Sequence, residues 1–192
     1  CRIGIDHDDS FEFFLNFIKT VHEAGCNTFI IHARKAWLKG LSPKENRDIP
    51  PLNYERVLEL KKLMPNLNIS INGGIKTREH AKELLTQLDG VMIGRATYEN
   101  PWMLKEADSL IYNTQDPIWK NRKELLTAYL PYVEQELSQG CPLTIITRHL
   151  SSLFNGIPGS RKYRQMLSEQ APKAKDGVEL LQKAMAFVEE IG

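Results

Sequence analysis

Along residues 1–112 the apolar positions alternate between two spacings. Short β-rich runs at Arg2 to Ile5, Thr28 to His32, Leu67 to Ile71 and Gly90 to Ile93 predict four strands, the first of them truncated. Thr28 to His32 is a run of β-branched and aromatic residues, which predicts a strand buried on both faces. Phe11, Phe14, Leu15, Ile18 and Val21 fall at helical spacing over Ser10 to Ala24, with Ser10 as N-cap and Gly25 as the stop. Val57, Leu60 and Leu63 mark a second helix over Asn53 to Met64, ended by Pro65. Thr77 caps a helix through Leu88, and Asn100-Pro101 opens another with Pro in its first turn. A polar loop from Ala33 to Leu52 joins the second strand to its helix.

Four β-then-α units in series predict a parallel sheet with helical crossovers. A closed β/α barrel needs eight units. The expected fold is therefore α/β: the second half of a (β/α)8 TIM barrel followed by an all-α C-terminal domain. A small doubly wound domain is the other topology open to this pattern. The chain starts Cys-Arg-Ile-Gly-Ile-Asp without Met and enters a strand at once, so it is expected to be a piece of a longer protein. After Asp116 the strand signals stop. Pro117 to Gln139, Thr144 to Phe154, Ser160 to Ser168 and Lys175 to Ile191 read as helices, parted by Gly140 and the Asn155-Gly156-Ile157-Pro158-Gly159 turn. The expected domains are residues 1–114 and 115–192.

Charge and composition narrow the classes. Of 192 residues, 42% are hydrophobic and 26% charged, an ordinary globular balance. No run approaches the length of a membrane helix and no secretory signal is visible. Three cysteines do not make a disulfide framework, so a reducing, cytoplasmic setting is expected, with a monomeric chain. No HExxH, paired Cys or carboxylate cluster supports a metal. The net charge of +1 points to no particular partner. Locally it is different. From Asn27 to Lys44 there is no acid, but Arg34, Lys35, Lys39 and Lys44 surround Trp37. From Leu137 to Ser168 there is again none, with Arg148, His149, Arg161, Lys162 and Arg164. Arg161 and Arg164 share a helix face. These segments are either solvated basic faces or a surface for an RNA backbone with a stacked base.

In this architecture chemistry sits at the C-terminal ends of strands. Asn72-Gly73-Gly74-Ile75 follows the third strand and Gly94-Arg95-Ala96 the fourth. Glycines there let backbone N–H groups approach an anion, and in such barrels the last two strands hold phosphate. His32, at the end of the second strand, is either a core histidine or a polar group at the barrel mouth. The remaining His7, His22 and His80 read as surface.

Several runs resemble the A-type tRNA-dihydrouridine synthase family. They are Phe29-Ile30-Ile31-His32-Ala33-Arg34-Lys35-Ala36-Trp37-Leu38 and Gly40-Leu41-Ser42-Pro43-Lys44-Glu45-Asn46-Arg47. Ser70 to Ile75, Met92 to Arg95, and Phe154 to Gly159 with Arg161 and Arg164 complete the likeness. The resemblance implies FMN as cofactor, NADPH as reductant and tRNA as substrate. It implies flavin contacts from His32, Asn72, Gly73, Gly74, Gly94 and Arg95, and tRNA contacts from Lys44, Arg47, Arg161 and Arg164. The implied reaction reduces D-loop uridines 20 and 20a to 5,6-dihydrouridine: hydride goes to C6 and an acid protonates C5. That acid is a cysteine of the barrel's first half. Cys1, Cys26 and Cys141 do not match it, and this piece alone is expected to be inactive. Another FMN-dependent barrel oxidoreductase, acting on a free small molecule, would account for the glycine turns but not for the basic helical tail.

Overall fold

The computed structural model describes residues 1–189. Its fold is α/β and the chain divides into two compact units, Cys1–Gly94 and the part from Arg95 onward.

The first unit is a three-stranded parallel sheet, β1 (Thr28–His32), β2 (Asn68–Asn72) and β3 (Gly90–Met92), in the order β1-β2-β3. Its helices are α1 (Phe11–Glu23), α2 (Tyr54–Leu63) and α3 (Arg78–Leu85). The helix starts are chemical. Ser10, Asn53 and Thr77 each accept a hydrogen bond from a backbone N–H three residues on, at 3.0, 3.0 and 3.2 Å. Gly25, at φ +101°, lets the chain leave α1. Phe14 and Ile18 of α1, Val57 and Leu60 of α2 and Ala81 and Leu84 of α3 meet Phe29, Ile31, Ile69 and Ile71 in one apolar core. Each large side chain so buried stabilises by about 1.5–3 kcal/mol.

Two expectations about this sheet are corrected. Cys1 to Asp6 runs beside β1 but forms isolated bridges, Arg2 with His32 and Ile5 with Ala36, rather than a strand. Asp6, at φ +50°, turns the chain away, and Arg2 spends its side chain on the carbonyls of Lys35 and Asn46 at 3.0 and 2.7 Å. Nor is β1 buried on both faces. Phe29 and Ile31 are buried, whereas Thr28 is exposed and Ile30 is 49% exposed. β2 alternates in the same way, and Met92 of β3 is 47% exposed. One face of the sheet carries the helices and the other is open.

The described elements of the second unit are all helical. They are α4 (Arg95–Glu99), α5 (Ala107–Tyr112), α6 (Arg122–Ser138), α7 (Leu143–Leu150), α8 (Ser160–Gln170) and α9 (Gly177–Met185), with 3-10 turns at Pro101–Leu104 and Ala171–Lys173. The residues between Arg95 and Asn113 group with this unit, ahead of the boundary expected at 114/115. Polar contacts show why: Ser152 Oγ donates to Tyr98 O at 2.5 Å, Asn155 Nδ2 donates to Glu99 O at 2.8 Å, and the Tyr98 and His149 rings meet at 5.9 Å. The core is built from Leu126, Leu130, Val133, Ile146, Phe154, Tyr163 and Leu181, among others. Phe154 and Tyr163 meet edge to face at 4.8 Å, and Tyr163 donates to Leu150 O at 3.2 Å. Burial pushes the Tyr163 hydroxyl far above its ordinary value. Helix α6 begins only after Asn121, which caps it, so Pro117 to Lys120 lies outside it. α9 is shorter than expected, and Ile191 lies outside the described residues. Among the described residues no helix is long and apolar enough to cross a membrane.

Candidate functional site

Parallel register builds the site. His32 stands opposite Asn72, and Asn72 opposite Met92, so the three strands end along one rim. The Gly73-Gly74 turn and the Ile93-Gly94 exit therefore leave neighbouring strands at the same end. Asn72 ties them together, its Nδ2 donating to Met92 O at 2.8 Å. Gly73 and Gly74 lie at φ +111° and +70°, where a side chain is strained. A Cβ on Gly73 would stand 2.7 Å from His32 Cδ2, so the imidazole packs flush against the turn. A Cβ on Gly74 would meet Leu52 Cδ1 at 2.5 Å and the Tyr54 hydroxyl at 3.2 Å. At Gly94, by contrast, an added Cβ meets nothing within 4 Å. These residues fit a phosphoryl group: a side-chain-free turn on one strand stands beside open space at a glycine on the next. Arg95 is the first residue of the second unit.

The loop after β1 is polar but tightly held. Its start is anchored by Ala33 N donating to Asn72 O at 2.9 Å, and its end by Asn53 N donating to Ala33 O at 2.8 Å. Asn46 makes a reciprocal pair with the backbone of Trp37: Trp37 N donates to Oδ1 at 2.8 Å and Nδ2 donates to Trp37 O at 2.7 Å. Leu38 N donates to Asp6 Oδ1 at 2.8 Å, and Lys35 pairs with Asp9 at 2.7 Å. Ser42 and Glu45 cap each other, at 2.8 and 3.3 Å, in front of a single helical turn at Glu45–Arg47. Lys44 and Arg47 are exposed on that turn, with Arg47 Nε donating to Pro43 O at 3.1 Å.

Cations concentrate here. Burial first, and then the charges of Arg34 and Arg47, hold the Arg2 guanidinium below its ordinary value. Arg2 still remains charged at neutral pH. Arg34 donates to Pro50 O while its Nε is buried without a partner. Trp37 is half-buried rather than fully exposed.

Arg161 and Arg164 lie on α8 in the second unit, both exposed. Arg164 Nη1 donates to Asn155 Oδ1 at 2.8 Å, so this guanidinium is fixed by the Asn155 to Gly159 turn. Gly159 is required there, because an added Cβ would fall 1.7 Å from Phe187 O. The expected residues thus fall into three groups: His32, Asn72, Gly73, Gly74 and Gly94 at the strand ends; Lys44 and Arg47 on the β1 loop; Arg161 and Arg164 on α8. Sequence reasoning missed Arg2, Asn46, Leu52 and Tyr54, which shape the first two groups. Their signal is tertiary and has no local spacing. His80, read as surface, is half-buried, its ring 5.5 Å from that of Tyr54. Among the described residues no cluster of His, Cys, Asp and Glu could hold a metal.

Comparison with known proteins adds a family. The model described as Dihydrouridine synthase (Dus) matches residues 1–190. A tRNA-dihydrouridine(20/20a) synthase of Yersinia pestis is 53% identical over 188 residues, covering 97% of this chain and 54% of its own. One from Vibrio cholerae is 50% identical over 194 residues, covering 100% and 59%. One from Escherichia coli K12 is 53% identical over 188 residues, covering 97% and 54%. The chain spans about half the length of these curated relatives.

Proposed function

We propose, from the premise that this chain belongs to the dihydrouridine synthase family, that it is the C-terminal part of a flavin-dependent enzyme reducing uridines 20 and 20a of tRNA. The single observation that carries the flavin site is the Asn72–Met92 register, which sets two glycine turns side by side at one rim. His32, Asn72, Gly73, Gly74 and Gly94 are the proposed contacts to FMN, joined by Arg95. The chemistry that FMN supplies when bound is hydride transfer to C6 of the uracil, with NADPH as the electron source.

The protein's own part is to grip, orient and exclude. The turns bind phosphate through backbone donors. The His32 ring closes one side of the Gly73 turn. None of Cys1, Cys26 and Cys141 is assigned the proton-donating role, so the piece alone is expected to be inactive. The open sheet face, with Ile30 and Met92, supports reading residues 1–114 as the second half of a TIM barrel whose interior this face would line. Residues 115–192 are the proposed helical tRNA-binding domain. A cytoplasmic monomer fits these assignments.

A base inside a stack cannot be reached, so the uridine must be turned out into the site. Lys44, Arg47, Arg161 and Arg164 are the proposed phosphate contacts that hold the tRNA while this happens. In the full-length enzyme, R161A/R164A should weaken tRNA binding and lower the slope of log affinity against log salt by about 2, near one per lost contact. An unchanged slope removes these two residues from the interface. Flavin reoxidation with uridine nucleotides in place of tRNA checks the small-molecule alternative: oxidation by the free nucleotide at the tRNA rate would favour it.

A further inference from the structure

We propose that Tyr54 is a positioning residue that aims the Gly73-Gly74 turn at the phosphate of the cofactor. Its hydroxyl donates to Gly73 O at 2.5 Å, reaching across from the first turn of α2. The peptide between Gly73 and Gly74 is planar and trans, as are all the described peptides. In a trans peptide the carbonyl and the next N–H point in opposite directions. Pinning Gly73 O toward Tyr54 therefore turns the Gly74 N–H away from α2. A hydrogen bond to the carbonyl also polarises the peptide and makes that N–H a stronger donor.

The tyrosine is itself braced. The His80 ring lies 5.5 Å away at 59°, and Leu52 lies on the same side of the turn as the hydroxyl. Burial raises the Tyr54 hydroxyl above its ordinary value, so it stays protonated and donating through the neutral range. Two adjacent glycines at positive φ have no side chain of their own to lock the orientation of the peptide between them. One tyrosine hydroxyl supplies that constraint.

The inference rests on the flavin-phosphate assignment above, and the test separates the two. Apo full-length enzyme is titrated with FMN and with riboflavin, which lacks only the phosphate, by quenching of flavin fluorescence. Wild type should prefer FMN. Y54F should lose about three- to tenfold in FMN affinity, the span of one hydrogen bond, with riboflavin affinity unchanged. H80A, which unbraces the ring but keeps the hydroxyl, should shift the FMN-to-riboflavin ratio in the same direction by less, and serves if Y54F does not fold. Equal losses for both flavins would mean a general structural role and overturn the proposal. So would an undiminished preference in Y54F, or in H80A where that variant serves. A wild type without preference for FMN would overturn the phosphate assignment, and this inference with it.

Discussion

At the residue scale the two glycine turns differ in kind, and that difference is measurable. Gly73 is bound by its backbone angle and by the His32 ring behind it. G73A should cost at least about 1 kcal/mol in urea unfolding and also weaken flavin binding. Gly94 has open space at its Cβ position. G94A should fold with stability within about 0.5 kcal/mol of wild type, yet lower FMN affinity at least tenfold in the full-length enzyme, since the methyl occupies the anion's space. Undiminished affinity in G94A would take the second turn out of the site. The glycines and His32 were legible because their place after a β-rich run marks a strand end. Tyr54, Leu52, Arg2 and Asn46 were not. Each acts on a carbonyl, a turn or a loop distant in sequence, and a tyrosine in the first turn of an amphipathic helix looks like any other partly buried aromatic.

At the element scale, strands this short need their ends secured. Asp89 precedes β3 and accepts from Ile69 N at 2.7 Å while pairing with Lys61 at the same distance. Those partners, the Ile69 N–H first and then Lys61, hold its carboxyl below the usual carboxylate range. A depressed folded value stabilises above the unfolded value of about 3.9 and is lost as pH falls through the folded one. D89N should therefore be less stable than wild type at pH 7, by about 1 kcal/mol after solvent screening of this partly exposed pair, with the gap narrowing as pH falls below about 3.9. A gap that does not narrow in acid would assign the effect to packing. Helices α1, α2 and α3 were legible from spacing and caps, because Ser10, Asn53 and Thr77 carry an acceptor where the first free N–H groups need one. α4 was not, since Arg95 to Glu99 is too short to show a period. The start of α6 was misplaced because Trp119 falls in phase with Leu126 without belonging to the helix.

At the scale of the whole molecule, the open sheet face is the strongest structural argument that the first unit is part of something larger. Ile30 and Met92 are each about half exposed, on the face opposite the one that packs against the helices. The sequence pattern of β1 suited burial on both sides, and the structure satisfies only one. A local pattern cannot say whether the cover is present. In this chain by itself I30S/M92S should reduce binding of an apolar dye and change stability by no more than about 0.5 kcal/mol, because little burial is lost. In the full-length enzyme the same pair should cost several kcal/mol, the ordinary penalty for opening cavities and placing hydroxyls in a packed interior. The contrast between the two backgrounds is the diagnostic quantity. Equal and small effects in both would mean that the face stays open in the complete protein, and the half-barrel reading of residues 1–114 would fall. A large effect in the longer protein alone would place both side chains inside a closed barrel, Met92 in register with His32 and Asn72 at the rim and Ile30 one row beneath.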